Sequence, residues 1–118
     1  MTEEKKQDLV KWYSEVSIAD VPSVGGKNAA LGEMYSNLIP LGVNIPDGFA
    51  LTAVAYRYFL KESGLDKKIR EIFSNLNTRD IRNLQIHAKK VREVILGADL
   101  PKTLQEIISE SYSKLLDK

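Results

Sequence analysis

Two adjacent glycines and a lysine, Gly25-Gly26-Lys27, precede a segment of periodic apolar residues and form the pattern in this sequence that most suggests chemistry. A glycine has no Cβ, so its backbone can approach an anion closely. The first N–H groups of a following helix lack acceptors within that helix and attract negative charge. Lys27 adds a mobile positive charge. The pattern therefore predicts a phosphate-facing loop made of Gly25, Gly26, Lys27 and Asn28.

This loop differs from the common P-loop pattern G-x-x-x-x-G-K-[ST], in which a hydroxyl group binds Mg²⁺. Asn28 stands at the hydroxyl position, and no glycine lies five residues before Gly26. We predict instead that the short amide of Asn28 caps the start of the helix. From the residues alone, a simple Gly-Gly turn beside a solvated Lys27 stays open as the alternative.

The elements around the loop predict a small sheet covered by a helix. Residues 9–13 form a short aromatic run with strand propensity, and residues 48–52 are the expected partner strand. The intervening helix is expected to open at the glycines and to end at Pro40 and Gly42. Its three- and four-residue spacing predicts an inward face made of Ala30, Leu31, Met34, Tyr35 and Leu38.

The second half of the sequence predicts helices without a further chemical motif. Helix ends are expected at Gly64 and Gly97, and a last helix follows Pro101. The predicted N-caps are, in chain order, Thr52, Asp66 and either Asn77 or Thr78. The longest helix is expected to bury a stripe made of Ile81, Leu84, Ala88, Val91 and Ile95.

These elements predict an α+β fold that is mostly helical, with about five helices and a small β-sheet. At 118 residues, the chain is expected to form a single domain or subdomain. Within it, residues 1–65 would hold the Gly-Gly-Lys loop, the sheet and the first helices. Residues 66–118 would form a helical layer.

Composition indicates an ordinary globular chain, with 43% hydrophobic residues, 28% charged residues and a formal net charge of +1. Acidic residues interleave the basic ones, so we expect no nucleic-acid partner. Disulfides and thiolate zinc sites are excluded because the chain has no cysteine. The charged start lacks the apolar core of a signal peptide, and no run reaches the roughly 18 apolar residues that span a bilayer. We therefore expect a cytoplasmic location and no membrane partner.

Two motifs in the first half resemble the phosphoenolpyruvate synthase (pyruvate, water dikinase) family. They are VGGKNAALGEM at residues 24–34 and IPDGF at residues 45–49, followed by Thr52-Ala53, within a segment that runs from Trp12 to Tyr58. Pyruvate, phosphate dikinase and rifampicin phosphotransferase share parts of the pattern. The resemblance extends more weakly to about the C-terminus.

The resemblance implies a long enzyme with an ATP-grasp-like nucleotide-binding domain, a swivelling phosphohistidine domain and a barrel that binds pyruvate or phosphoenolpyruvate. A chain of this length would match only the first part of the ATP-binding domain. In the family, the lysine of the GGK motif reaches the nucleotide phosphates, and Lys27 is the matching position. The implied cofactor is ATP with Mg²⁺. The family's Mg²⁺ ligands have no match here, so we assign no catalytic and no metal-binding residue.

The resemblance also implies the reaction of the parent enzyme, which converts ATP, pyruvate and water to AMP, phosphoenolpyruvate and phosphate. We expect this chain to contribute nucleotide-phosphate contacts and to be inactive alone, with ATP and the remainder of the parent enzyme as its partners. The alternative is a non-catalytic helical interaction module, or a truncated product, that docks on a partner.

Three other polar residues have ordinary interpretations. We expect His87, the only histidine, to be a partly exposed helical residue, because the resemblance places the phosphoryl carrier in a later domain. Glu33 could pair with a neighbouring lysine, and without a second carboxylate it suggests no catalytic role. Asp47 lies between Pro46 and Gly48 and indicates a turn.

Overall fold

The structure is a computed structural model that describes residues 2–118. Over this range it contains six α-helices and two short β-strands. In chain order they are α1 (Glu3–Gln7), β1 (Val10–Trp12), α2 (Val21–Leu38), β2 (Phe49–Leu51), α3 (Ala53–Glu62), α4 (Leu65–Phe73), α5 (Ile81–Leu96) and α6 (Lys102–Leu116). The mostly helical α+β fold class is confirmed. The structure has one helix more than the five that were predicted, and this additional helix is the short α1.

Two compact units make up the described chain. The first contains the chain up to Arg57 together with Lys102–Lys118, and the second is Tyr58–Pro101. The division into residues 1–65 and 66–118 stays a prediction. None of the helices described over residues 2–118 combines the length and apolar character needed to cross a membrane.

The sheet of the first unit consists of β1 and β2 in antiparallel pairing, as the sequence predicts. Val10 pairs with Leu51, and Trp12 pairs with Phe49. The rings of Trp12 and Phe49 lie 5.4 Å apart between centroids, as is usual for aromatic residues in contact across two strands. Thr52 then caps α3, because its Oγ1 accepts the Ala55 N–H at 3.3 Å. This predicted cap is confirmed.

Helix α2 packs against two 3-10 turns, Tyr13–Glu15 and Ile18–Asp20. Its buried residues are Val24, Ala29 and Gly32. A Cβ built on Gly32 would lie only 2.5 Å from the carbonyl oxygen of Val16, so the turns contact α2 where it lacks a side chain. The apolar cluster at this contact consists of Val16, Val24, Ala29 and Ala50.

This close contact changes which face of α2 is buried. Leu31, Tyr35 and Leu38 are half-buried, but the predicted inward residues Ala30 and Met34 are exposed. The prediction is wrong at these two positions. The turns pack most tightly at a glycine, which a search for apolar side chains does not count as part of the inward face.

Two predicted helix caps in the second unit are wrong. Gly64 has a left-handed φ of 70°, and α4 begins at Leu65, so Asp66 lies within the first turn instead of capping it. The cap of α5 is Asp80, whose Oδ1 accepts the N–H groups of Arg82 at 3.0 Å and Asn83 at 3.2 Å. Asn77 instead accepts the N–H of Arg79 in the preceding turn. The predicted helix ends at Gly64 and Gly97 are confirmed.

The buried stripe predicted for α5 is wrong at its beginning. Ile81 is 72% exposed and Leu84 is 42% exposed, whereas His87 is buried on this helix. The spacing identified an apolar stripe but could not identify the surface that covers it.

We predict that Gly32→Ala destabilises the protein by about 1–3 kcal/mol, because the new methyl group overlaps the Val16 backbone. Urea unfolding followed by circular dichroism measures the change. Gly26→Ala is the matched control, since its added Cβ meets nothing within 4 Å and alanine favours helix. Equal midpoints for wild type and Gly32→Ala would contradict the close packing.

Candidate functional site

The Gly-Gly-Lys segment lies at a break inside α2 and not at its beginning. Gly25 has φ 82° and ψ 163°, a backbone conformation that is essentially restricted to glycine. Val21–Val24 form one turn before this residue, and the helix resumes after it. The longer helical segment therefore begins after Gly25, as the sequence predicts, and the short turn before Gly25 is the feature that was not predicted.

The break is open to solvent. Gly25, Gly26 and Lys27 are all exposed, and a Cβ built on either glycine would meet no atom within 4 Å. Lys27 makes no ion pair with any of residues 2–118. A free ammonium group therefore stands beside a backbone that an anion could approach.

Asn28 bridges the break and does not cap the helix start, so that prediction is wrong. Its Nδ2 donates to the carbonyl of Val24 at 2.9 Å, which links the residues on the two sides of Gly25. Because a helical turn precedes Gly25, the side chain of Asn28 meets a carbonyl of that turn instead of a free N–H group. The role supported by this contact is to hold the break in shape.

Two carboxylates hold the 3-10 turn that leads into α2. The N–H of Ser17 donates to Asp20 Oδ2 at 2.9 Å, and the N–H of Ile18 donates to Glu33 Oε1 at 2.9 Å. Lys11 Nζ lies 3.7 Å from Asp20 Oδ1. Glu33 therefore binds a backbone amide, and no ion pair with a lysine accompanies it among the described residues. This arrangement was missed from the sequence, although Ser17 and Asp20 have the spacing of a capping box.

A family model described as pyruvate phosphate dikinase, AMP/ATP-binding domain, matches residues 21–118. The chain belongs to this family. Among curated proteins, it is 50% identical over 118 residues to a phosphoenolpyruvate synthase of Aquifex aeolicus, a match that covers 100% of the chain and 14% of that protein. It is 45% identical over 114 residues to one of Synechocystis, covering 97% of the chain and 14% of the relative.

A third relative extends the comparison to the phosphoenolpyruvate synthase of Escherichia coli, with 37% identity over 115 residues, 98% of the chain and 14% of that protein. The resemblance stated from the two motifs is confirmed. The chain spans about 14% of the length of these relatives, and it corresponds to part of their N-terminal nucleotide-binding domain.

Other polar residues of this family member have structural contacts. His87 is only 5% exposed, so the prediction of partial exposure is wrong. Its Nδ1 lies 2.7 Å from the Asn83 carbonyl oxygen, and its Nε2 lies 2.9 Å from Asn75 Oδ1. The turn predicted at Asp47 is not found, because residues 43–48 have no regular secondary structure or turn. Asp47 Oδ1 accepts the Gly48 N–H at 2.8 Å, and its Oδ2 accepts a hydrogen bond from Lys118 Nζ at 2.7 Å.

No group of three or more histidine or acidic side chains able to hold a metal ion occurs among residues 2–118. Mg²⁺ prefers carboxylate and phosphate oxygens.

We predict that the Asp20 carboxylate makes the stability of the turn depend on pH. The pKa of Asp20 is lowered from its ordinary value of 3.8, chiefly by the hydrogen bond from the Ser17 backbone and further by the Lys11 charge. A lowered pKa in the folded state means that the contribution is present above the ordinary value and is lost as pH falls through the folded value.

The test is urea unfolding of wild type and Asp20→Asn between about pH 6 and about pH 2.5. The difference in unfolding free energy should favour wild type at the upper end and shrink on acidification. A difference that is constant with pH would contradict the assignment. Asp66→Asn serves as the matched control in the second unit.

Proposed function

We propose that this chain forms the first part of the nucleotide-binding domain of a phosphoenolpyruvate synthase, with Gly25, Gly26, Lys27 and Asn28 forming its contact with the phosphates of ATP. The observation that carries the proposal is the exposed break at Gly25 beside Lys27, whose ammonium makes no ion pair within residues 2–118. The family match over residues 21–118 supports a nucleotide as the ligand.

Each part of the break would act differently on a triphosphate. The glycine backbone lets a phosphate oxygen come within hydrogen-bond distance of N–H groups, because no side chain blocks the approach. Lys27 supplies a flexible point charge that follows the phosphates without fixing one geometry. Asn28 keeps the two sides of the break together through the Val24 carbonyl.

The parent enzyme would convert ATP, pyruvate and water to AMP, phosphoenolpyruvate and phosphate, and the similarity to phosphoenolpyruvate synthases supports this assignment. Residues 2–118 contain no cluster of three or more side chains that could hold a metal ion. Mg²⁺ would therefore be held by the nucleotide and by carboxylates that do not form such a cluster. Within that enzyme, in the cytoplasm, this chain would hold one side of the nucleotide. Catalysis by the chain alone is not expected.

Nucleotide titration followed by NMR tests the phosphate contact. We expect saturable shifts at the amides of residues 25–28 when Mg·ATP is added up to about 10 mM. In Lys27→Ala, the apparent Kd should rise by about tenfold or more, since a hydrogen bond to a charged group contributes about 1.5–3 kcal/mol.

Lys68→Ala is the matched control, because Lys68 is an exposed helical lysine without an ion pair in the described chain. It should titrate like wild type. Either of two results would contradict the proposal: no saturable shift in wild type, or the same apparent Kd for wild type and Lys27→Ala.

A second candidate function, a helical interaction module that docks on a partner, has its own supporting observation. Three large apolar side chains are strongly exposed: Leu41 at 76%, Ile81 at 72% and Leu96 at 85%. Ile81 and Leu96 belong to α5 in the second unit, and Leu41 belongs to the first unit. Apolar side chains left open to water in this way can form association sites. This candidate does not need the break at Gly25.

Sedimentation velocity over a range of concentrations tests the second candidate with another copy as the partner. It predicts association that grows with concentration and that weakens in Leu96→Glu, since a buried carboxylate opposes apolar contact. Glu71→Gln is a control with a changed charge at an exposed helical position. A monomer at every concentration would remove the support for this candidate.

A further inference from the structure

We propose that Glu33 is the positioning residue for the break at Gly25, and that it acts through its hydrogen bond to the Ile18 N–H. The consequence for nucleotide binding rests on the proposed function, whereas the consequence for the backbone of residues 25–28 does not. Glu33 holds the 3-10 turn Ile18–Asp20 against α2, and this turn fixes the direction in which the chain enters the break.

The hydrogen bond between Ile18 and Glu33 closes a long stretch of chain. It joins residues 15 positions apart at 2.9 Å, and Gly25 lies midway between them. A contact that closes a loop removes conformational freedom from every residue inside it. Gly25 is the residue of this loop at which α2 departs from helical φ and ψ, so we expect the closing contact to act on its conformation.

The neighbouring amide is held in the same way. Ser17 donates its N–H to Asp20, and Ile18 donates its N–H to Glu33, so two consecutive amides of the turn are directed to carboxylates. Val21, the first residue of α2, follows Asp20 directly. The turn therefore enters the helix with its own polar groups already paired. Only four residues, Val21–Val24, separate it from Gly25.

The close contact at Gly32 lies one residue before Glu33. The Val16 carbonyl oxygen approaches so closely that a Cβ on Gly32 would be 2.5 Å away. This packing brings the turn to the middle of α2, where the Glu33 side chain can reach the Ile18 amide. Gly32 leaves space for the close approach, and the Glu33 carboxylate forms the directional hydrogen bond.

Glu33 is itself held from the next turn of the helix. Asn37 Nδ2 donates to Glu33 Oε2 at 2.9 Å and to the Glu33 carbonyl at 2.8 Å. Both carboxylate oxygens are thus engaged. Lys27 lies six residues earlier, about 240° around the helix, so the two side chains project in different directions. In this proposal Glu33 orients the break, and Lys27 contacts the ligand.

The test compares Glu33→Asp, Glu33→Gln and Glu33→Ala, with Glu110→Ala as the matched control at an exposed glutamate of the same unit. Aspartate keeps the charge but is one methylene shorter and should not reach Ile18. Glutamine loses the charge but keeps an oxygen that can accept the Ile18 N–H. The two variants separate hydrogen bonding from charge even if Glu33→Ala fails to fold.

Hydrogen exchange at the amides of residues 25–28 is the first readout. We expect it to accelerate by about two- to tenfold in Glu33→Asp, and to stay within about twofold of wild type in Glu33→Gln and in the control. Amides of β1 should change less than those of the break. Exchange in Glu33→Asp equal to wild type, or an equal acceleration in β1, would overturn the proposal. The proposal would also be overturned if the amides of residues 25–28 exchanged as fast in Glu33→Gln as in Glu33→Ala but stayed protected in Glu33→Asp.

The apparent Kd for Mg·ATP is the second readout and separates the two proposals. We expect Kd to rise in Glu33→Asp by about the same factor as the exchange, and to be preserved in Glu33→Gln. If wild type does not bind Mg·ATP but exchange changes as expected, the proposed function fails and the positioning role stands. If wild type binds and Glu33→Asp matches it in both readouts, the positioning role fails and the proposed function stands.

Discussion

The contact between the segment that holds the two 3-10 turns and the middle of α2 determines the arrangement of the first unit. Val16, which lies between the turns, comes within van der Waals reach of the helix at Gly32, where a side chain would overlap the Val16 carbonyl. Close packing of this kind excludes water from Val16, Val24 and Ala29. In the turn that follows Val16, Asp20 accepts the Ser17 amide and Glu33 accepts the Ile18 amide. Apolar packing and carboxylate hydrogen bonds therefore stabilise the same contact.

The glycine break benefits from this rigid support. Gly25 adopts a conformation that costs other residues energy, and strained backbone persists where its surroundings are well ordered. Before the break, the turn Ile18–Asp20 is held by its hydrogen bond to Glu33. Across the break, the Asn28 side-chain amide donates a hydrogen bond to the Val24 carbonyl. Lys27 is left without an ion pair in the described part of the chain. The polar side chains around the break thus maintain the backbone, while the lysine stays available for an anion.

Local patterns in the sequence were sufficient for the strands, for the Thr52 cap and for the helix ends at Gly64 and Gly97, since each depends on a few adjacent residues. The buried face around Gly32 was missed because it depends on a contact between distant segments. The same reason applies to Glu33, whose amide partner lies 15 residues away. Asp80 was overlooked as a cap because Asn77 and Thr78 have suitable side chains nearby. The candidate residues Gly25 to Asn28 were predicted from their motif and from the family resemblance, but the break at Gly25 and the contact of Asn28 were not.

The most direct test of the central claim is the broadening of backbone amide signals by Mn·ATP, since the paramagnetic ion marks the location of the bound phosphates. We expect the amides of residues 25–28 to broaden at the lowest concentrations, with weaker effects on residues farther along α2. Broadening centred instead on the basic residues Lys89, Lys90 and Arg92 of α5, with the Gly25 break unaffected, would contradict the account.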